Sequence, residues 1–424
     1  MKDGFKFFVV SPRRERQIFL FLVSGIAFSV PFRAIYNSLF CIALLLFWLL
    51  FMSKKIEVAR IRIIGAASTL FLIALAGMLY TQNIDEGLFR LQQKSLLLIL
   101  PLVVGTITLE WQPDLKRILS VFVVAIVVAS LACLLAAFVF YLQQGSTAHF
   151  FSHGLLEFDW VDLYPYILAI LCLVAVLVLA EAMLGRLELH PFLLMPGVTI
   201  VLIFFLSVFI FLLSVKQIIL AFLIFVVVYA VRLNRKLSLA LLVASVAIFS
   251  ASAFLIPTLK ARIHEVILEQ EKENPLDLEP EKATPLNGVA LRRALWVCAI
   301  DAIKSNPLLG VGTGDGQDSL QAAYAKREFF LASKYNRFNA HNQYLQTLVN
   351  FGILGLMVWL TSLVWLVRKF RNNWVLLCVL SLLLFAMLTE SMLETNKGAV
   401  VMSFLFTTFC FGGRSKSGTV THAK

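Results

Sequence analysis

At 424 residues, 60% of them hydrophobic and only 15% charged, the chain is far more apolar than a soluble globular protein, which has about a quarter of its residues charged. Its mean hydropathy of +0.87 is gathered into runs long enough to cross a hydrocarbon core of ~30 Å, which excludes a soluble enzyme and predicts an all-α polytopic membrane protein. The formal net charge of +12 accompanies no nucleic-acid motif, so no nucleic acid is expected as a partner and membrane lipids are.

Twelve candidate spans follow one another at 17–33, 35–52, 61–80, 88–109, 115–142, 163–184, 192–213, 215–231, 237–257, 342–367, 374–392 and 396–411. No small-residue cleavage site follows the first apolar run, so no cleaved leader is expected. Lysine and arginine mark the cytoplasmic connections of such a chain. They occur at Arg13, Arg14 and Arg16; Lys54, Lys55, Arg60 and Arg62; Lys116 and Arg117; Arg186; Arg232, Arg235 and Lys236; Arg368, Lys369 and Arg371; and Arg414, Lys416 and Lys424. The opposite connections 81–87, 143–162 and 389–395 carry none. This predicts both termini inside and residues 258–340 outside. Three regions result: 1–257 with spans one to nine, 258–340 as a large exported loop, and 341–424 with the last three spans and a cytoplasmic tail.

Ionisable groups near the outer ends of spans are functional candidates by default. In chain order the first are Arg90 and Lys94, near the start of the fourth span. His149, His153 and Glu157 follow at intervals of four, a spacing that would share one helical face and could hold zinc; an interfacial polar patch is the simpler expectation, and no metal is expected. Lys216 stands between two apolar runs in FLLSVKQIIL, where it either snorkels to headgroups or serves a site.

The exported segment opens with acidic, proline-punctuated sequence. LRRALWVCAIDAIKS (291–305) then spaces Leu291, Leu295, Val297, Cys298, Ala302 and Ile303 as one face of an amphipathic helix. Arg292 and Arg293 sit on this helix, and either could present a guanidinium to a phosphate. Asn306-Pro307 ends it. GVGTGDG (310–316) follows; with no preceding strand it reads as a tight loop needing positive φ at its glycines rather than a dinucleotide cradle. A second helical stretch, DSLQAAYAKREFFLASKY, leads to NAHNQYLQTLVNFGILG (339–355). There His341, suited to accept a proton near neutrality, and the amides Asn342 and Gln343 stand at the mouth of a span. Glu390 and Glu394 lie one helical turn apart in MLTESMLETNKG, placed to anchor a cap arginine or to bind sugar hydroxyls. The six cysteines have no metal-type spacing, and the exported one, Cys298, has no partner for a disulfide.

Two of these stretches carry a resemblance. Arg292, four residues before Trp296, followed by NPLLGVGTGD and then by HNQYLQTLVNFGILG, resembles the bacterial O-antigen ligase and O-antigen polymerase superfamily over residues 292–355. The twelve-span plan, the single large outer loop and ESMLE extend the likeness less specifically. The resemblance implies a GT-C-like glycosyltransferase of about 12 transmembrane helices with a helical periplasmic cap. It implies metal-independent, inverting transfer of a glycan from undecaprenyl pyrophosphate, with no cofactor, at the periplasmic face of the inner membrane. The family's motif residues fall on Arg292 and His341 as catalytic groups. A second family arginine, after S-x, falls on Lys216; lysine keeps the charge but loses the forked donors. Arg293, Asn342, Gln343, Arg90, Lys94, Glu390 and Glu394 are the expected substrate-binding groups. With one large outer loop the expected reaction is ligation onto lipid A–core, by a monomer; polymerisation of O-units is the alternative. A transporter is disfavoured, because its sites lie near the midplane, often between repeats, and no repeat is seen.

Overall fold

In the computed structural model the described residues are 11–52, 54, 57–107, 114–157, 161, 163–233, 288–329, 331–335 and 337–412. Helices α1 (Pro12–Ser29) and α2 (Ala34–Phe51) form a hairpin, and α3 (Val58–Ala67) and α4 (Thr69–Gly77) are bent by 64° about Ser68. Past Ser95, α5 (Ile84–Lys94) leads into α6 (Leu96–Thr106); α7 (Leu115–Gln144), α8 (Pro165–Met183), α9 (Pro196–Leu213) and α10 (Lys216–Leu233) follow. The second part holds α11 (Gly288–Ser305), α12 (Gly316–Lys326), α13 (Gln343–Lys369), α14 (Trp374–Ala386) and α15 (Asn396–Phe411).

Among the described residues six helices are long and apolar enough to cross a membrane, or seven if α3 and α4 form one bent span. The six are α2, α5–α6 taken together, α7, α8, α9 and α13, while α14 and α15 are shorter apolar helices. The described residues are all-helical, and the chain is a multi-pass membrane protein. The predicted ninth span at 237–257, the acidic start of the exported segment and the basic tail lie outside the described residues. One predicted boundary moves with consequence. The span expected to reach residue 392 ends as a helix at Ala386, and the polar run after it forms a loop.

Burial ranks the helices. Of the apolar window of α8, 83% is enclosed, against 22% for α2, so α8 is a central pillar and α2 lies on the outside of the bundle. A second, smaller core belongs to the cap. Ala294, Leu295, Cys298, Ala299 and Ala302 of α11 pack against Leu320, Ala323 and Tyr324 of α12 and Val349 of α13. Val297, expected on this face, is 37% exposed. It stands two residues from Leu295 and hence about 200° around the helix. The stretch predicted as one helix to residue 335 is broken: α12 stops at Lys326, Glu328 adopts φ 55°, and a short π-helical turn spans Leu331–Tyr335.

The glycine-rich loop fixes the cap to the membrane bundle. Gly310 and Gly312 have φ of 68° and 103°, as a tight loop requires. The loop backbone pairs with α13 at a break in that helix: Val311 N donates to Val349 O (3.0 Å), Gly312 N to Asn350 O (2.9 Å), and Ile353 N to Pro307 O (2.9 Å). Gly352, at φ 60° and ψ −168°, makes the break, and a Cβ there would come 2.3 Å from the Leu308 carbonyl carbon. Asp315 closes the other side by accepting from the backbone N–H groups of Gln82 (2.7 Å) and Asn83 (2.8 Å) ahead of α5.

Candidate active site

The polar loop 387–395 between α14 and α15 is where the candidate residues meet. α11 lays Arg292 against it. Arg292 Nε donates to Thr389 O (2.9 Å), its Nη1 to Gly288 O (3.0 Å), and its Nη2 is paired with Glu390 Oε1. Arg293, one residue on, is exposed. Of the two adjacent arginines, Arg292 is the one laid against this loop, because the face carrying Leu295 and Cys298 is the one held on the cap core.

Glu390 joins Arg292 to the histidine. Its Oε2 lies 3.4 Å from His341 Nδ1, an electrostatic contact rather than an aligned hydrogen bond. Catalytic hydrogen bonds are often long without substrate and tighten when it binds. Burial alone would push the Glu390 carboxyl up; His341 and Arg292 outweigh it and hold the group below its ordinary 4.5. The three side chains are partly open, at 30% for Arg292, 26% for His341 and 15% for Glu390, so a ligand can reach them.

His341 is held in the left-handed region at φ 43°, a conformation that a non-glycine residue keeps only where its surroundings over-determine it. Its own N–H donates to Asn339 Oδ1 (2.9 Å), and its carbonyl accepts from Trp296 Nε1 (3.3 Å). On either side, Ala340 N donates to Gln346 Oε1 (2.9 Å) and Asn342 N to Ser391 Oγ (3.0 Å). The ring meets Phe338 edge-on, with centroids 5.9 Å apart.

The amides beside the histidine are engaged within the fold. Asn342 Oδ1 caps α13 by accepting from Tyr344 N (2.9 Å) and Leu345 N (3.0 Å), and its Nδ2 donates to Leu388 O (2.9 Å). Gln343 Nε2 donates to Glu394 Oε1 (3.2 Å), and its Oε1 accepts from Leu393 N (2.8 Å). Both amides thus bind loop 387–395 and set its position against the histidine.

Lys216 opens α10, with an exposed side chain. Its neighbour Gln217 donates to Phe385 O and accepts from Thr389 Oγ1, so the first turn of α10 holds the same loop that Arg292 grips. Lys94 and Glu394 form a buried pair at 2.7 Å with 1% and 6% exposure, which places them behind the site rather than on it. Arg90 bridges Glu86 (2.7 Å) and Gln93 (3.2 Å) on its own helix and reaches toward Glu394 O at 3.5 Å.

Two contributors were not singled out from the sequence: Gln217 and Ser391. Gln217 adjoins Lys216 and Ser391 lies in ESMLE, so polarity at a span's outer end was the available signal. Elsewhere, His149 and His153 do not share a helical face, because two 3-10 turns meet at Phe151 and Ser152. His149 Nδ1 contacts Glu157 Oε2 (2.8 Å) and its Nε2 contacts Gln144 Oε1 (2.9 Å). Among the described residues no group of three or more histidine, cysteine, aspartate or glutamate side chains could hold a metal.

No curated protein matches the chain. A family model does: Wzy_C, described as O-antigen ligase, matches residues 198–360, from α9 through the cap and the broken part of α13. Glu390 lies beyond that match and is brought to it by the fold. The matched segment carries Lys216, Arg292 and His341, and is consistent with the O-antigen ligase and polymerase superfamily that residues 292–355 resemble.

Proposed function

We propose that this protein is an O-antigen ligase. It moves an O-polysaccharide from undecaprenyl pyrophosphate to a sugar hydroxyl of lipid A–core at the periplasmic face of the inner membrane. It does so with twelve spans in a GT-C-like arrangement, both termini cytoplasmic, and residues 258–340 as the periplasmic cap. The observation that carries this reading is Glu390, which ties the Arg292 guanidinium and the His341 imidazole to one partly open loop.

The roles follow from the chemistry. With Nδ1 turned to the Glu390 carboxylate, the neutral imidazole offers Nε2 as the base. The acceptor hydroxyl loses its proton to Nε2 as its oxygen bonds to the anomeric carbon. The bond from that carbon to the pyrophosphate oxygen breaks on the opposite face, which inverts the configuration, and its electron pair leaves with undecaprenyl pyrophosphate. Negative charge grows on the leaving group, and fixed cations stabilise it without a metal. Arg292 and Lys216 supply that charge, with Arg293 and Arg90 at the rim. Asn342 and Gln343 position the loop, and the Lys94–Glu394 pair braces it from behind.

The test is transfer by purified protein given lipid-linked O-chain and lipid A–core, with and without a chelator. Product that withstands the chelator and vanishes in His341→Ala is expected, with Lys216→Arg active and Lys216→Ala impaired. Lengthened lipid-linked O-chains with no product on lipid A–core would instead assign polymerase activity. Full activity of His341→Ala would remove the proposed base.

A further inference from the structure

The backbone at His341 is gripped more closely than the entry to a helix requires. The peptide plane that joins His341 to Asn342 is held at both edges. Its carbonyl oxygen accepts from Trp296 Nε1 on α11 (3.3 Å), and its N–H donates to Ser391 Oγ in loop 387–395 (3.0 Å). The preceding peptide is held as well, since His341 N donates to Asn339 Oδ1 (2.9 Å). Ser391 is buried and Trp296 half-buried.

This grip bears on the imidazole. His341 sits at φ 43°, where an L side chain stays only under constraint. Rotation about N–Cα carries the carbonyl carbon and Cβ together, because both hang on the same Cα. Fixing the peptides on either side of His341 therefore fixes the direction in which its ring leaves the chain. Each gripping element also carries a partner of the site. Trp296 stands four residues, about one helical turn, after Arg292, and Ser391 directly follows Glu390. A tryptophan of an interfacial belt would turn its N–H to headgroups. This one gives it to the carbonyl of the left-handed residue.

We propose that Trp296 and Ser391 are positioning residues for the base: they clamp the His341–Asn342 peptide, keep His341 left-handed and so present its imidazole to Glu390. The proposal rests on the glycosyl-transfer reading, in which that imidazole accepts the proton.

The test uses detergent-purified protein with lipid-linked O-chain and lipid A–core. Trp296→Phe keeps an aromatic ring without the N–H, and Ser391→Ala removes the hydroxyl. Each should lower kcat about tenfold and leave KM for both substrates within about twofold. The carboxylate orients the ring only while the clamp presents it. Glu390→Gln should therefore cost about threefold less in Trp296→Phe protein than in the wild type. Amide exchange of residues 339–346, read by mass spectrometry, reports the clamp without turnover. It should quicken about tenfold in both variants.

Wild-type kcat in either variant, losses confined to KM, or an equal cost of Glu390→Gln with and without the indole would each overturn the clamp. Faster exchange throughout α11 and α13 would do so too, because the whole cap would then have come loose. Failure of the underlying reading looks different. A wild type that transfers nothing to lipid A–core, with quickened exchange in both variants, refutes the ligase reading and keeps the clamp. Transfer by the wild type, with kcat and exchange unchanged in the variants, refutes the clamp alone.

Discussion

At the scale of single residues, Glu390 holds Arg292 and His341 to one loop, because its two oxygens take different partners. In the proposed reaction that carboxylate sets the distance between the leaving-group cation and the base. His341→Ala should lower kcat by about 10²–10⁴, and Glu390→Gln by about 10–100-fold, with protein levels in the membrane unchanged. Arg292→Lys should fall close to Arg292→Ala, because the guanidinium serves Thr389, Glu390 and Gly288 at once and a single ammonium cannot reproduce that fork. Retention of wild-type rates by the lysine variant would reduce Arg292 to a point charge. Acid should loosen the same junction. A carboxyl held below its ordinary 4.5 by His341 and Arg292 contributes stability that is present above that value and is lost as pH falls through the folded one. Thermal stability in detergent should therefore drop more steeply below about pH 4.5 in the wild type than in Glu390→Gln; parallel curves would mean the pair adds nothing. Chemistry-bearing residue types were legible in the sequence, since a histidine and arginines at a span's outer end are costly and few. The roles of Asn342 and Gln343 were not, because their partners Leu388 and Glu394 lie 46 and 51 residues away.

At the scale of elements, the span 342–367 was readable from its apolar run, but its break was not. Nothing between Gln343 and Lys369 is a proline, and GILG reads as apolar helix. The break exists because a loop some forty residues earlier supplies backbone partners for the carbonyls and N–H groups it frees. Gly352→Ala should thus be severe: it forces φ 60° on an L side chain and drives a methyl into Leu308. A loss of about 2 kcal/mol or more is expected, read as a lowered melting temperature with the cap more open to protease. Tolerance of the alanine would show that loop and helix can separate without cost. The Lys94–Glu394 pair makes the opposite kind of case: two charges expected among the substrate-binding groups are buried against each other at 2.7 Å, with 1% and 6% exposure. Lys94→Met strands a buried carboxylate and should cost about 3–5 kcal/mol, whereas adding Glu394→Gln should recover part of it. A double variant as unstable as the single one would contradict the pairing.

At the scale of the whole molecule, the distribution of charge and the packing of the chain arrive independently at one division. The connections predicted to be outside meet at one end: Asp315 binds the backbone before α5, Lys397 binds Asn37 beyond the α1–α2 turn at 2.7 Å, and loop 387–395 binds the cap. Among the described residues, two basic connections pack at the other, where Arg60 Nη1 donates to Ile107 O (2.7 Å) and Arg232 lies 4.0 Å over the Trp374 ring. Agreement of this kind follows from physics, since lysine and arginine in short loops resist export while the fold must bring every second connection to the same side. It fixes which connections share a side, and the charge rule then names the side. Single cysteines decide it. In spheroplasts, a membrane-impermeant maleimide should label Arg293→Cys and should label Arg186→Cys only after the inner membrane is opened. Background is low, because Cys41, Cys133, Cys172 and Cys298 are buried and Cys378 and Cys410 only partly exposed. The reverse pattern would place Arg292, Glu390 and His341 in the cytoplasm, away from any lipid A–core acceptor at the periplasmic face, and the ligase reading would fall with the orientation.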